Sequence, residues 1–217
     1  MKLLCITDLH GDHKVLESIL LHAGPVDLVL LGGDITHFGT PNCAEAVVQR
    51  LQHAGAKVLA VAGNCDSQAI DQRLIELDVS LFGRGVQHGQ VGFHGVSGMP
   101  PWHGTMYELT EEQIADALCD GDAQLNSDQH RVLLSHSPPH GTSLDRTRHG
   151  DHVGSTAVRE FIDRRQPSLV VCGHIHEARG VDRLGDTQIV NCGPAYRGSY
   201  ALAELNTDFE IHLRCLK

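Results

Sequence analysis

Leu3-Leu4-Cys5-Ile6-Thr7-Asp8-Leu9-His10 begins with an apolar run that leads within four residues to an Asp and a His. A run this short and uninterrupted reads as a strand buried on both faces, as strands of a parallel sheet are. The arrangement recurs along the sequence. Leu28-Val29-Leu30-Leu31 leads into Gly32-Gly33-Asp34, Val58-Leu59-Ala60-Val61 into Gly63-Asn64-Cys65-Asp66, Val132-Leu133-Leu134 into Ser135-His136, and Leu169-Val170-Val171-Cys172 into Gly173-His174-Ile175-His176. Potential metal ligands therefore collect at the carboxyl ends of strands, where open α/β sheets place their ligand sites.

Helical patterns fill the intervals. Asp12 can cap a helix whose Val15, Leu16, Ile19 and Leu20 share one face and which ends near Gly24-Pro25. Thr40-Pro41 is a helix start with Gly55 as its stop. Asp66 is placed to cap a third helix carrying Ile70, Leu74 and Leu77, and Thr110-Glu111-Glu112-Gln113 has capping-box spacing. Ser155 to Gln166 reads as a fifth helix, closed by Pro167. Three opening strand-helix units predict right-handed crossovers and a mainly parallel sheet. Alternating stretches around Val86 to Val96, Gln188 to Asn191, Ala201 to Leu205 and Phe209 to Leu213 predict antiparallel strands in a second sheet packed on the first.

The chain has 217 residues, 41% hydrophobic and 20% charged, which fits one soluble domain spanning 1–217. No apolar stretch reaches about 18 residues, and Asp8 comes too early for a signal peptide, so a cytoplasmic location is expected. The seven cysteines form no Cys-x-x-Cys pair and read mostly as free thiols in a reducing compartment. A net charge of -10 argues against a broad grip on long nucleic acid, yet bound divalent cations would still let the site accept a small phosphoester. Sixteen histidines are the compositional outlier and fit metal binding through imidazole. The oligomeric state stays open.

Spacing within the blocks has a physical reason. Residues two apart on an extended segment point the same way, so Asp8 converges with His10, and His174 with His176. Glycines at 32, 33, 63 and 173 remove Cβ atoms where the backbone turns at the sheet edge. One carboxylate can bridge two cations, which makes Asp34 the natural central ligand, and two divalent ions clamp both oxygens of an in-line displacement at phosphorus.

Taken in order, these five blocks resemble those of the calcineurin-like metallophosphoesterase superfamily over about residues 3 to 195. The resemblance implies a four-layer α/β/β/α sandwich of two mixed sheets flanked by helices. It implies one metal held by Asp8, His10, Asp34 and His176 and a second by Asp34, Asn64, His136 and His174, with a bridging hydroxide as nucleophile. Asn191-Cys192-Gly193-Pro194 matches only in part an Asn-Pro-Gly-Ser-like turn of many members. Many phosphatases of the superfamily have His where this chain has Cys65. Here the block is Gly-Asn-Cys-Asp, as in a small phosphodiesterase-like subset.

The expected function is therefore hydrolysis of phosphoesters with two divalent ions (Mn, Fe, Co, Ni or Zn, with Mn favoured), diesters ahead of monoesters because of Cys65. Asp34, Asn64, His136 and Cys65 are the expected catalytic set. A thiol donates hydrogen bonds poorly, so a good leaving group or a histidine from elsewhere is needed, with His37, His94, His103 and His149 as candidate histidines. Within Asp145-Arg146-Thr147-Arg148-His149, Arg148 and His149 could line a phosphate pocket, or the run could be a solvated loop. Trp102 packs a loop in the simpler reading and stacks on a nucleobase in the other. Asp66 caps a helix or orients Asn64 and a ligand histidine. The alternatives are a nucleotide or phosphoprotein monoesterase and, from another class, a non-catalytic metal-binding scaffold. A scaffold would tend to lose ligand slots, and all of them are filled here.

Overall fold

A computed structural model describes residues 1–126 and 130–216. The chain opens with β1 (Lys2–Ile6), α1 (His13–Ala23), β2 (Leu28–Gly32), α2 (Pro41–His53), β3 (Lys57–Val61) and α3 (Gln68–Glu76). It continues with β4 (Val86–His88), β5 (Val91–Val96), α4 (Glu111–Ala123), β6 (His130–Ser135), α5 (Thr156–Arg165) and β7 (Leu169–Cys172). It closes with β8 (Gly180–Leu184), β9 (Thr187–Asn191), β10 (Ser199–Leu205) and β11 (Phe209–Cys215).

The helix ends follow the local signals. Asp12 accepts from the backbone N–H groups of Lys14 and Val15, and Gly24 ends α1. Pro41 sits in the first turn of α2. Thr110 and Gln113 close both bonds of a capping box on α4. One expectation is corrected: Ser67, whose side chain accepts from the Ile70 N–H, caps α3. Asp66 is drawn away by stronger donors, described below.

Five strands in the order β11-β10-β1-β2-β3 form one sheet, and six in the order β4-β5-β6-β7-β9-β8 form the other. β1, β2 and β3 run parallel, with Leu3 opposite Leu28 and Leu28 opposite Lys57. β5, β6, β7 and β9 are parallel to one another. Alternate residues of each strand face different layers. Leu4, Ile6, Val29 and Leu31 meet Leu16 and Ile19 of α1 and Val47 and Leu51 of α2. Leu3, Cys5, Leu28 and Leu30 meet Leu134, Val171 and Val190 of the second sheet. Leu133, Val170 and Ile189 meet Leu118 of α4 and Phe161 of α5. Helix, sheet, sheet and helix thus stack around buried aliphatic layers, each large side chain contributing about 1.5–3 kcal/mol of burial.

The assignment of the alternating stretches needs a second correction. β10 and β11 are antiparallel, but they extend the first sheet beyond β1 and do not belong to the second. β9 pairs parallel with β7, and an unforeseen strand, β8, covers its other edge. Alternation reports a strand with one wet face, as in β8 and β11, and is silent on direction and on which sheet it joins. The carboxyl ends of β1, β2, β3, β6 and β7 face one edge of the sandwich, and the five polar blocks follow those ends.

Candidate metal centre

Asp8, His10, Asp34 and His174 all have positive φ, at 55°, 49°, 46° and 64°. A non-glycine residue there stores about 1–3 kcal/mol, and such strain persists only where the surroundings over-determine it. The restraints are visible. Asp8 N–H donates to Gly33 O at 3.0 Å and His10 N–H to Asp34 O at 2.8 Å, tying the first block to the second. His174 N–H donates to both oxygens of Asp8, at 3.1 and 3.2 Å, and Cys65 N–H to Asp34 Oδ1 at 2.7 Å. A Cβ on Gly63 would collide with the backbone and carboxylate of Asp34, and one on Gly173 with Asp8 and Thr7. These two glycines are what let the loops close on each other.

Asp66 pins the second block to the third. Its carboxylate accepts from the N–H groups of Ile35, Thr36 and Gly63 at 2.8–3.0 Å and from the Thr36 hydroxyl at 2.9 Å. It positions the loop that carries Asn64. Asn191 does similar work on the last block, donating to Gly173 O and Ile175 O while its own oxygen accepts from Gly193 N–H.

All seven side chains expected to hold metal come together. Asp8, His10 and His176 offer ligand atoms within 4.8 Å of one another, and so do Asp8, Asp34 and His136. His10 Nε2 lies 3.7 Å from Asp34 Oδ2, His136 Nε2 3.5 Å from Asp34 Oδ1, and His176 Nε2 3.3 Å from Asp8 Oδ1. Asn64 Oδ1 is 2.8 Å from His136 Nε2, and the His136 and His174 rings are 5.1 Å apart. His136 Nδ1 faces Gly32 O at 3.0 Å, a pure acceptor, so Nδ1 carries a proton and Nε2 is turned to the centre.

The electrostatics fit a site built for added positive charge. Asp8, Asp34 and Asp66 are all buried. Burial, with Asp8 and Asp66 adding to it, raises the Asp34 carboxyl to about 6. Burial opposes ionisation of Asp8 too, but His176 and His136 outweigh it and hold that carboxyl below its usual value. Burial disfavours the His136 imidazolium, yet Asp34 and Asp8 raise its pKa overall. Protons are thus drawn to Asp34 and His136, where buried negative charge is left uncompensated. His10 and His174 are pushed down, to about 4 and about 3, chiefly by burial, so both rings are neutral at pH 7 as ligation requires. Carboxylate, imidazole and amide donors match divalent cations of the hard and borderline kind.

Cys65 is buried, and burial together with Asp34 pushes its thiol well up, so it stays protonated. It is neither a thiolate nucleophile nor a thiolate ligand in this state. Of the four histidines considered as helpers, only His37 joins the cluster among the described residues. Its Nδ1 lies 3.3 Å from His10 Nδ1, and His10, His37 and Cys65 lie within 4.8 Å of one another. His94 is excluded by position, buried behind the second sheet against Phe161. His103 stacks on Trp102, and His149 is exposed on the turn after Thr147. Arg148 is exposed on the same turn, its backbone N–H donating at 3.2 Å to Oε1 of Glu177, the residue after His176. Trp102 is 68% exposed, with the His103 ring of its own loop 4.4 Å away. Tyr196 went unforeseen. Its ring stands 5.3 Å from His10 and 5.6 Å from His176, carried there by the turn after Pro194. The partial match at Asn191 to Pro194 was the available signal.

The profile of the calcineurin-like phosphoesterase family matches residues 1–178. The chain is 32% identical over 202 residues to the uncharacterized protein MJ1162 of Methanocaldococcus jannaschii, covering 89% of this chain and 88% of that one. It is 35% identical over 89 residues to phosphodiesterase YfcE of Escherichia coli K12, covering 37% of this chain and 47% of that one. In fold it is similar to TT1561 of Thermus thermophilus, with a TM-score of 0.77, 18% identity and coverage of 99% and 98%. It is also similar to a dimetal phosphatase from Danio rerio, with a TM-score of 0.65, 13% identity and coverage of 99% and 96%. Both likenesses show the fold. A profile match over most of the chain, on a sandwich whose strand ends gather these blocks, places this protein in the calcineurin-like phosphoesterase family, hydrolases of phosphoester bonds.

Proposed function

We propose that this protein is a two-metal phosphodiesterase acting on small phosphodiesters. Asp8, His10, Asp34 and His176 would hold one divalent cation, and Asp34, Asn64, His136 and His174 the other, with Asp34 shared. The two cations, when bound, supply Lewis-acid polarisation of the phosphoryl group and an acidified water for in-line attack. The protein supplies a buried, preorganised frame in which that charge acts at low dielectric.

The observation that carries the diester reading is the neutral thiol of Cys65 beside Asp34. A monoester brings two negative charges near neutral pH, and a diester brings one. The partial likeness to a protein named as a phosphodiesterase points the same way. His37 supplies what Cys65 lacks. With His10 Nε2 on a cation, its Nδ1–H would donate to His37 Nδ1 and leave the His37 Nε2–H for a phosphoryl or leaving oxygen. Arg148 and His149 would meet the substrate from the rim.

The test is hydrolysis of bis(p-nitrophenyl) phosphate against p-nitrophenyl phosphate in Mn²⁺, with a chelator arm and metal add-back. Chelator-sensitive cleavage favouring the diester is expected. A monoester preference above about tenfold, some 1.4 kcal/mol in the barrier, overturns the diester reading.

A further inference from the structure

Beside the metal centre lies a cavity of about 450 Å³, within the size range of small-molecule sites. Asn64 and His174, both of the ligand set, line its inner end, so it is continuous with the reacting centre. Met106, Trp102, Val153 and Ile175 give it an apolar lining. Met106 Sδ touches Asn64 Nδ2 at 3.2 Å, which leaves no gap between apolar wall and ligand. No Lys, Arg, Asp or Glu lines the cavity. A second phosphate or a charged organic group would find no partner there, and an uncharged flat group would lose only water.

Trp102 is held ready at the mouth. The backbone N–H of Trp102 donates to the Glu108 carboxylate at 2.8 Å, and those of Gly104 and Thr105 donate to it at 2.9 and 3.2 Å. Leu109 N–H to Met99 O, at 2.9 Å, closes the neck of this loop. Pro100 and Pro101 further restrict the approach to Trp102. An indole that is 68% exposed at the lip of an apolar cavity, with His103 against one side of its ring and its loop tied down by several bonds, is preorganised to stack.

We infer that this cavity receives a planar aromatic group, aryl or nucleoside, esterified to the scissile phosphate through an oxygen that stays on phosphorus, and stacked on Trp102. The inference rests on the hydrolase reading for the position of the phosphate, and its test separates the two.

Three esters share one leaving group: methyl, phenyl and thymidine 5′ p-nitrophenyl phosphate. The phenyl or the thymidine ester should exceed the methyl ester about tenfold in kcat/KM, the size of one aromatic stack, and the better of the two identifies the source of the ring. In Trp102→Ala that ratio should fall towards one. Trp102 is also the only tryptophan, so its fluorescence reports occupancy without turnover. With Mn²⁺ present, phenylphosphonate should change the emission saturably and methylphosphonate should not, and Val153→Glu, which puts a charge into that lining, should weaken that response at least about tenfold. Cleavage of all three esters at similar rates with no emission change overturns the aromatic site and leaves the hydrolase intact. If no ester is cleaved the hydrolase reading falls, and the emission titration alone decides: a response confined to the aromatic phosphonate supports the site, and its absence overturns it.

Discussion

Asp34 concentrates the physical problem of the site: a buried carboxylate at φ 46°, beside Asp8 and Asp66, with two imidazoles turned to it. Asp34→Asn keeps the shape and removes the shared charge. Bound metal should drop from two ions per chain towards none, and turnover should fall about a thousandfold, the several kcal/mol that metal ions supply. Elemental analysis of the purified variant checks this, and retained stoichiometry would remove Asp34 from the shared position. Cys65→His restores an imidazole in place of a thiol kept neutral by burial. It should shift the monoester-to-diester rate ratio upward by about tenfold or more, within the range of general acid catalysis, as paired assays on the two p-nitrophenyl esters would show. At this scale the sequence was most legible. Spacing of two at a strand end aims side chains together whatever lies elsewhere, so Asp8 with His10 and His174 with His176 could be read directly. Tyr196, Glu108 and Met106 could not, because each reaches its place through a turn whose direction depends on tertiary contacts.

Elements were legible where a local signal fixes them. Caps at Asp12 and Thr110 and the Pro41 start held because each satisfies backbone groups within its own turn. Asp66 misled: three backbone N–H groups from other blocks compete for it, and Ser67 takes the cap. His94 on β5 gives an element-level prediction. It is buried, and burial, with the charge of Arg131 adding to it and outweighing a backbone hydrogen bond at Leu118, lowers its pKa to about 3. The unfolded chain takes up this proton near 6.5 and the folded chain does not until about 3. Its contribution is therefore intact above 6.5 and is lost progressively as pH falls through that window, by about 2 kcal/mol at pH 5. His94→Leu should flatten the acid limb of stability against pH by that amount in urea titrations. Identical acid limbs for variant and parent would show that His94 finds a proton acceptor in the fold.

The whole molecule depends on the chain returning after the last block. The family profile ends at residue 178, but β10 and β11 complete the first sheet and bury Tyr200, Leu202 and Phe209. At about 1.5–3 kcal/mol each, these three approach the 5–15 kcal/mol that holds a domain together. Ending the chain at Gly198 should leave a protein without a cooperative thermal transition, and a sharp one in circular dichroism would show that the β1 edge stands alone. A second sheet was legible from the alternating stretches, and the four layers came with the family resemblance. Which sheet claimed the late strands was not, because β1 and β9 each offered a free edge and only the assembled core decides between them. The central claim is that residues from five distant stretches hold two cations around Asp34. Anomalous diffraction from crystals grown with Mn²⁺ tests it most directly. Two peaks about 3.5–4 Å apart, both within ligand distance of Asp34, are expected. A single peak, or peaks away from Asp8, His136 and His176, would contradict it.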